Sequence, residues 1–383
     1  MIPDLGFGLY IHWPFCQSKC PYCDFNSHVT ATIDQNDWKA AYLSEIERFG
    51  EETSDRVLQT VYFGGGTPSL MDPDLVGSIL ERVRNTWRRA NDVEITLEAN
   101  PSSVEASRFA GYRDAGVNRV SIGVQALDDL ALTRLGRMHS VKEALRAIEI
   151  GNRVFSRVNF DLIYARQDQS LTDWRAELAT ALDLGSSHMS LYQLTVEEGT
   201  VFYQRQARGL LAGLPVEDLS ADMFDLTQSM CGAAGIPAYE VSNHARTGQE
   251  SRHNMVYWRG GDYLGIGPGA HGRLRLSDRR VATEGLKLPL DWLTAVRQKG
   301  SGEVPRVALS PQEAGAEYLL MGLRLKDGIL LSHYKSLTGQ DLALNRIKDL
   351  QLHGLVALES DLLRVTNAGV LVLNAILREI LTR

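Results

Sequence analysis

Three of the four cysteines in this 383-residue chain fall within eight residues, at Cys16, Cys20 and Cys23 of YIHWPFCQSKCPYCDFNSH (10–28). Thiolates are soft metal ligands. A tight cysteine cluster in a chain with so few thiols and no secretion signal points to metal or catalytic chemistry rather than to disulfides. Three thiolates do not close a tetrahedral structural zinc site, which takes four protein ligands. His12 or His28 would complete a Cys3His zinc site. Against zinc stand the spacing Cys-x3-Cys-x2-Cys, unlike paired CxxC, and the aromatic setting of Trp13, Phe15, Tyr22 and Phe25, which suits a redox-active centre. A [4Fe–4S] cluster held by three cysteines leaves one iron without a protein ligand, and an open metal position is where a substrate or cofactor binds. The fourth thiol, Cys231 in LTQSMCGAAG, sits on an apolar helical pattern and reads as a buried small hydrophobe.

The elements that must position this loop follow a regular order. Strand candidates lie at 8–15, 60–65, 93–99, 119–125, 157–164 and 188–195, separated by amphipathic segments such as 72–87 and 140–155. Strands alternating with helices predict right-handed β-α-β units on a parallel sheet, and six units suit a partial (β/α)6 TIM-type barrel with chemistry on the loops at the strands' C-terminal ends. The chemically interesting residues obey that rule. The cysteines follow the first strand, GGGTPS (64–69) the second, Glu98 ends the third, Gln125 the fourth, and Asp161 lies in the fifth. The expected division is a barrel over 1–235, a Gly- and Arg-rich extension over 236–300, and a mainly helical, winged-helix-like domain over 301–383.

Composition excludes several classes. Charged residues make up 23% and apolar residues 44%, which argues against extensive disorder. No apolar run is long enough to span a membrane, and the N-terminus shows no signal peptide, so a cytoplasmic protein is expected. The net charge of −7, with 9 Lys/Arg against 9 Asp/Glu in the winged-helix-like part, disfavours nucleic-acid binding. The GxGxxA at Gly265, Gly267 and Ala270 is interrupted by Pro268 and followed by RLRLSDRR, so it does not read as a dinucleotide site.

CQSKCPYC has the CxxxCxxC spacing of the radical S-adenosylmethionine (SAM) superfamily, and with YIHWPFC and GGGTPS the chain resembles its coproporphyrinogen-dehydrogenase-like branch, most of all the haem-chaperone group HemW. The resemblance runs over nearly the whole chain. It implies a [4Fe–4S] cluster on Cys16, Cys20 and Cys23 whose free iron binds SAM, and an electron donor that primes reductive cleavage to methionine and a 5′-deoxyadenosyl radical. It also assigns residues. Gly65, Gly66 and Thr67 meet the methionine part, which glycine backbone can approach closely, and Tyr10 and Tyr22 flank the same ligand. Glu98, costly if left unpaired, takes the SAM ammonium or a ribose diol; Arg137 forks the methionine carboxylate; Gln125 and Asp161 suit the nucleoside hydroxyls; Thr195 lies on the adenine side. LGIGPGAHG is expected as a loop closing over the SAM pocket.

Within this branch one kind of member is an oxygen-independent coproporphyrinogen III dehydrogenase, and another binds haem and passes it to acceptor proteins. The resemblance favours the haem carrier. Phe25 stands where the dehydrogenase has a further cysteine, the chain begins close to Tyr10, and HNMVYW (253–258) matches the HNxxYW pattern of haem-binding members. His253 is then the candidate haem ligand, with Met255 second, and the basic run Arg273–Arg280 the candidate for haem propionates. The expected partners are haem, haem-accepting proteins and the electron donor, with only peripheral contact at any membrane haemoprotein.

Overall fold

Six strands succeed one another in chain order, each pairing in parallel with the one before. They are β1 (Phe7–Trp13), β2 (Val57–Gly65), β3 (Arg88–Ala99), β4 (Arg119–Gln125), β5 (Arg157–Tyr164) and β6 (His188–Gln193). This is a computed structural model, describing residues 5–30, 32–276 and 279–381. The first four residues of the segment read for a targeting signal, and Ser277 and Asp278 of the basic run, lie outside those described. Between the strands run α1 (Gln35–Thr53), α2 (Pro73–Thr86), α3 (Phe109–Ala115), α4 (Val141–Val154) and α5 (Leu171–Asp183). Their starts are encoded locally: Pro73 opens α2, and Ser140–Glu143 and Ser170–Asp173 form capping boxes that satisfy the first N–H groups of α4 and α5. β1 is buried on both faces apart from Tyr10, hence its nearly continuous apolar run.

The stretch after α6 (Glu217–Ala233) is more ordered than its composition suggests. It supplies β7 (Asn243–Ala245), α7 (Arg252–Trp258), β8 (Asp262–Ile266), β9 (His271–Leu276), β10 (Arg279–Glu284) and α8 (Pro289–Lys299), and β11 (Val307–Ala308) follows. β8 pairs in parallel with the free side of β1, from Phe7↔Asp262 to Ile11↔Ile266, and the later strands continue antiparallel. The eleven-stranded sheet has the order β11-β10-β9-β8-β1-β2-β3-β4-β5-β6-β7, with two ends. It is a partial barrel.

The C-terminal region is mainly helical, with α9 (Pro311–Gly322), α10 (Leu331–Thr338), α11 (Leu344–Leu352) and α12 (Leu373–Leu381) around a three-stranded sheet. That sheet consists of β12 (Ile329–Leu330) and the hairpin β13 (Val356–Glu359) and β14 (Leu362–Val365), the outline of a winged helix. Leu319, Ile329, Ile347, Leu363 and Ile376 form a core separate from that of the barrel. Two arginines of the basic run serve this architecture rather than facing solvent. Arg273 forks onto Glu317 of α9, and Arg280 donates to the carbonyls of Gly260 and Gly261.

Candidate functional site

A cavity of about 720 Å³ opens at the C-terminal ends of the parallel strands. Its wall includes Cys16, Cys20, Cys23, Tyr22, Gly65, Gly66, Thr67, Glu98, Gln125, Arg137, Asp161 and Thr195, twelve of the fourteen residues singled out in the sequence. Six separate segments deliver them, which is what a barrel with chemistry at its strand ends permits.

The cysteine loop is held from both sides. Phe15–Cys16 pairs in parallel with His28–Val29, and the Cys23 N–H donates to the Cys20 carbonyl at 3.1 Å, closing the turn between the second and third thiols. His12 does not face the thiols: its Nε2 donates to the Asn26 carbonyl (2.9 Å) and its Nδ1 meets the Tyr10 hydroxyl (3.0 Å). Burial lowers the His12 pKa to about 4, so the ring is neutral. His28 is turned to the Asn26 side chain at 3.1 Å. Among the described residues no three His, Cys, Asp or Glu side chains converge on a single-ion site. LGIGPGAHG does not close over the cavity. It lies behind the cysteine loop, where Asn26 Nδ2 donates to Pro268 O at 2.9 Å, and Gly267 (φ +124°) has no room for a Cβ against the His12 carbonyl.

All three thiols are free, and polar hydrogens point at two of them. Thr67 Oγ1 lies 3.5 Å from Cys16 Sγ, and Arg137 Nη1 lies 3.3 Å from Cys20 Sγ. Burial pushes the Cys16 and Cys23 thiols up, so their thiolates want compensating positive charge. Arg137 differs from the free carboxylate fork expected of it. Its Nη2 is committed to Asn100 Oδ1 (2.6 Å) and the Gly123 carbonyl (3.0 Å), while Nη1 stands beside sulfur. It acts from here as a cation fixed against the thiol loop.

The glycines of GGGTPS are required by close approach. A Cβ on Gly66 would sit 2.6 Å from the Phe15 carbonyl oxygen, and Gly65 has φ +114° with the His12 ring 2.6 Å from any Cβ. Gly66→Ala should therefore cost about 1–3 kcal/mol, read as a lower urea midpoint, because backbone atoms of the cysteine loop rather than a flexible side chain must move. An unchanged midpoint would show that the two loops are not packed as described.

Glu98 receives the Tyr62 hydroxyl at 2.8 Å and the Gly65 N–H at 3.2 Å. Burial raises its pKa to about 7, with the charge of Asp161 adding to the rise. Asp161 is itself pushed to about 6 by burial, against hydrogen bonds from Ser190, Ser121 and Asn159. Two buried carboxylates thus face one cavity, a setting for a cationic, hydroxyl-rich ligand. Gln125 has φ +72° at a register slip between β4 and β5. A non-glycine residue in the left-handed region is strained, and such strain collects at ligand sites.

Two expected residues are not in the cavity. Tyr10 lies behind its wall, with its ring 6.2 Å from Tyr62 and its hydroxyl on His12. His253 is only 1% exposed, and both ring nitrogens are engaged, by Thr60 Oγ1 (2.8 Å) and the Tyr257 hydroxyl (2.5 Å). It packs against Gly8 and Thr60 near the strand starts, five residues before Gly65 on β2, or roughly 16 Å along a strand from the cavity end. Burial lowers its pKa to about 3. Here His253 plugs the barrel and has no lone pair to offer an iron. Conversely, the site depends on residues the sequence reading passed over, Asn100 in the cavity wall and Tyr62 outside its lining. Tyr62 and Asn100 position Glu98 and Arg137, and each lies within two or three residues of a recognised motif, a signal that was available. Arg324 and Asn374 come from the C-terminal region, with no local signal at all.

Comparison with known proteins matches this geometry to a family. The Radical SAM superfamily matches residues 10–176, and the HemN C-terminal domain matches residues 309–372. The Bos taurus mitochondrial radical S-adenosyl methionine domain-containing protein 1 is 39% identical, covering 98% of this chain and 87% of its own. Heme chaperone HemW of Haemophilus influenzae is 34% identical over 100% of this chain and 99% of its own, and HemW of Escherichia coli K12 is 42% identical over 73% of each. The solved structure of coproporphyrinogen III oxidase (HemN) from Escherichia coli superposes with TM-score 0.82 at 20% identity, over 98% of this chain and 90% of that one, and shows the same fold. Fold and matched domains define a radical SAM protein. Within that superfamily, the chain belongs to the family of the HemW haem chaperones.

Proposed function

We propose that this chain is a haem carrier on a radical SAM core, holding a [4Fe–4S] cluster on Cys16, Cys20 and Cys23, SAM in the adjoining cavity, and haem as cargo for acceptor proteins. The observation that carries the cofactor part is the single cavity in which three free thiols meet Gly65, Gly66, Glu98, Gln125 and Asp161. The cargo part rests on the HemW relatives. The donor set suits the cluster: three thiols, one beside a guanidinium and one beside a hydroxyl, the kind of contacts that tune such centres. When bound, the cluster supplies an electron to the sulfonium of SAM. Gly65 and Gly66 present their backbone to the methionine part, Glu98 holds the ammonium or ribose diol, Gln125 and Asp161 the nucleoside hydroxyls, and Tyr22 and Thr195 line the walls. On this reading the protein works in a reducing compartment, where cluster thiols stay unoxidised and an electron donor and haem acceptors reach it. Among the described residues no helix is long and apolar enough to cross a membrane.

Hemin added to anaerobically reconstituted protein should give a Soret band that saturates at a fixed stoichiometry, with and without SAM. Consumption of coproporphyrinogen instead would replace the carrier reading with a dehydrogenase.

Two further outcomes follow from the geometry. With its pKa near 7, Glu98 is mostly protonated at pH 6 and ionised at pH 8. A carboxylate that must be charged to hold an ammonium then makes SAM bind about tenfold more tightly at pH 8 than at pH 6. A flat calorimetric profile would remove Glu98 from that role. His253→Ala should lower stability by about 2–3 kcal/mol, as loss of a buried, doubly bonded ring does, yet leave the Soret band intact. A weakened Soret band in a fully folded variant would return His253 to the iron.

A further inference from the structure

We propose that the part of the cavity wall formed by Tyr192, Ser242, Arg324 and Asn374 is the subsite for a planar ligand carrying carboxylates, with Arg324 as the carboxylate anchor; this deepens the haem-carrier reading and rests on it. The cavity extends beyond the residues that suit SAM to reach these four, two of which come from the C-terminal region. Tyr192, at the end of β6, is 41% exposed and lines the cavity, offering an aromatic surface to a flat macrocycle.

Three basic side chains line this cavity: Lys19, Arg137 and Arg324. Arg137 is committed to Cys20, Asn100 and Gly123. Lys19 lies exposed in the cysteine loop. Arg324 is different because it is held but not consumed. Its guanidinium carbon lies 4.9 Å from the Trp258 ring centroid, so the last residue of HNMVYW serves as its platform. Its one hydrogen bond among the described residues runs from Nη2 to Glu240 Oε2 at 3.4 Å, and its Nε is buried without an acceptor. Glu240 meets it through one oxygen only, at this longer distance, because its other oxygen already receives the Ser242 N–H (2.8 Å) and Asn243 Nδ2 (2.7 Å). A guanidinium fixed in orientation, about one third exposed and with most of its donors unused is preorganised for a carboxylate, which it can meet with two parallel N–H groups. On this view HNMVYW contributes to cargo recognition through Trp258 and Arg324, and not through its histidine.

The test is a spectrophotometric titration of the reconstituted full-length chain with hemin and with hemin dimethyl ester, which lacks free carboxylates. The unaltered protein should prefer hemin by about tenfold or more, the scale of a charge-assisted pair. Arg324→Gln should bind both alike, and Arg324→Lys, which keeps charge without the fork, should fall between. A SAM titration of each variant checks that the barrel is folded. Arg324→Gln retaining the full preference would overturn the anchor while leaving haem carriage standing. Uptake of neither porphyrin by the unaltered protein would overturn the carrier reading itself, and the subsite with it.

Discussion

Cys20→Ala should abolish the brown colour of the reconstituted protein, reduce iron from about four per chain to below about one, and weaken SAM binding by more than about a hundredfold. The expected loss is this large because the three thiols act as one unit. The cavity wall offers no fourth cysteine, and His12 and His28 are turned to Asn26, so no neighbour can take over the missing bond. The variant also leaves the Arg137 guanidinium facing the place where the sulfur stood, a cation beside a vacated position. Cys231→Ala is the control. That thiol is 0% exposed, in the barrel core, and burial pushes its pKa to about 12, so it never becomes a ligand at working pH. Its removal should cost stability of about 1 kcal/mol and no iron. Iron retained by Cys20→Ala, or lost from Cys231→Ala, would refute the assignment of the cluster to the first loop.

Glu94→Ala should be the most destabilising single change outside the cavity, at about 3–5 kcal/mol in urea unfolding. The Glu94 carboxylate, with 1% side-chain exposure, accepts from Arg157 Nη1 at 2.5 Å and from the His253 N–H at 3.2 Å. Arg157 in turn donates to the Glu250 carbonyl at 2.8 Å. The pair therefore ties β3, β5 and α7 together near the strand starts, away from the cavity. Truncation strands a guanidinium with only 17% side-chain exposure and frees the N-terminus of the plugging helix. Replacing both partners with apolar residues of similar size should recover much of the loss, because the cost lies in the unpaired charge and not in the missing bond. A Glu94→Ala midpoint within about 1 kcal/mol of the parent would show that water fully solvates Arg157 once its partner is gone and that the pair does not hold the barrel end together.

What the chain determines by itself is local. Period and caps define the six β-α units, because each strand is a short buried run and each helix carries its own start signal, as Ser140–Glu143 does. The cysteine spacing and the glycines of GGGTPS are legible for the same reason: the turn and the close approach act within a few residues. The order of strands then brings Glu98, Gln125 and Asp161 to the cavity without further information. The stretch after α6 is a different case. β8 forms because β1 offers it an unpaired edge, and that partner lies some 250 residues away, so the segment's own composition could not announce it. His253 shows the limit most clearly. Its motif predicts a shared face with Tyr257, which the structure has, but whether that face meets a ligand or the barrel floor depends on Gly8, Thr60 and Glu94. Gln125 reaches its left-handed backbone only where β4 slips against β5, and Arg324 finds Trp258 only when the C-terminal region packs on the barrel. Motifs of short range are written in the sequence; side-chain aim and contacts between distant segments are settled by packing, where burial and hydrogen-bond satisfaction of the whole chain select one arrangement.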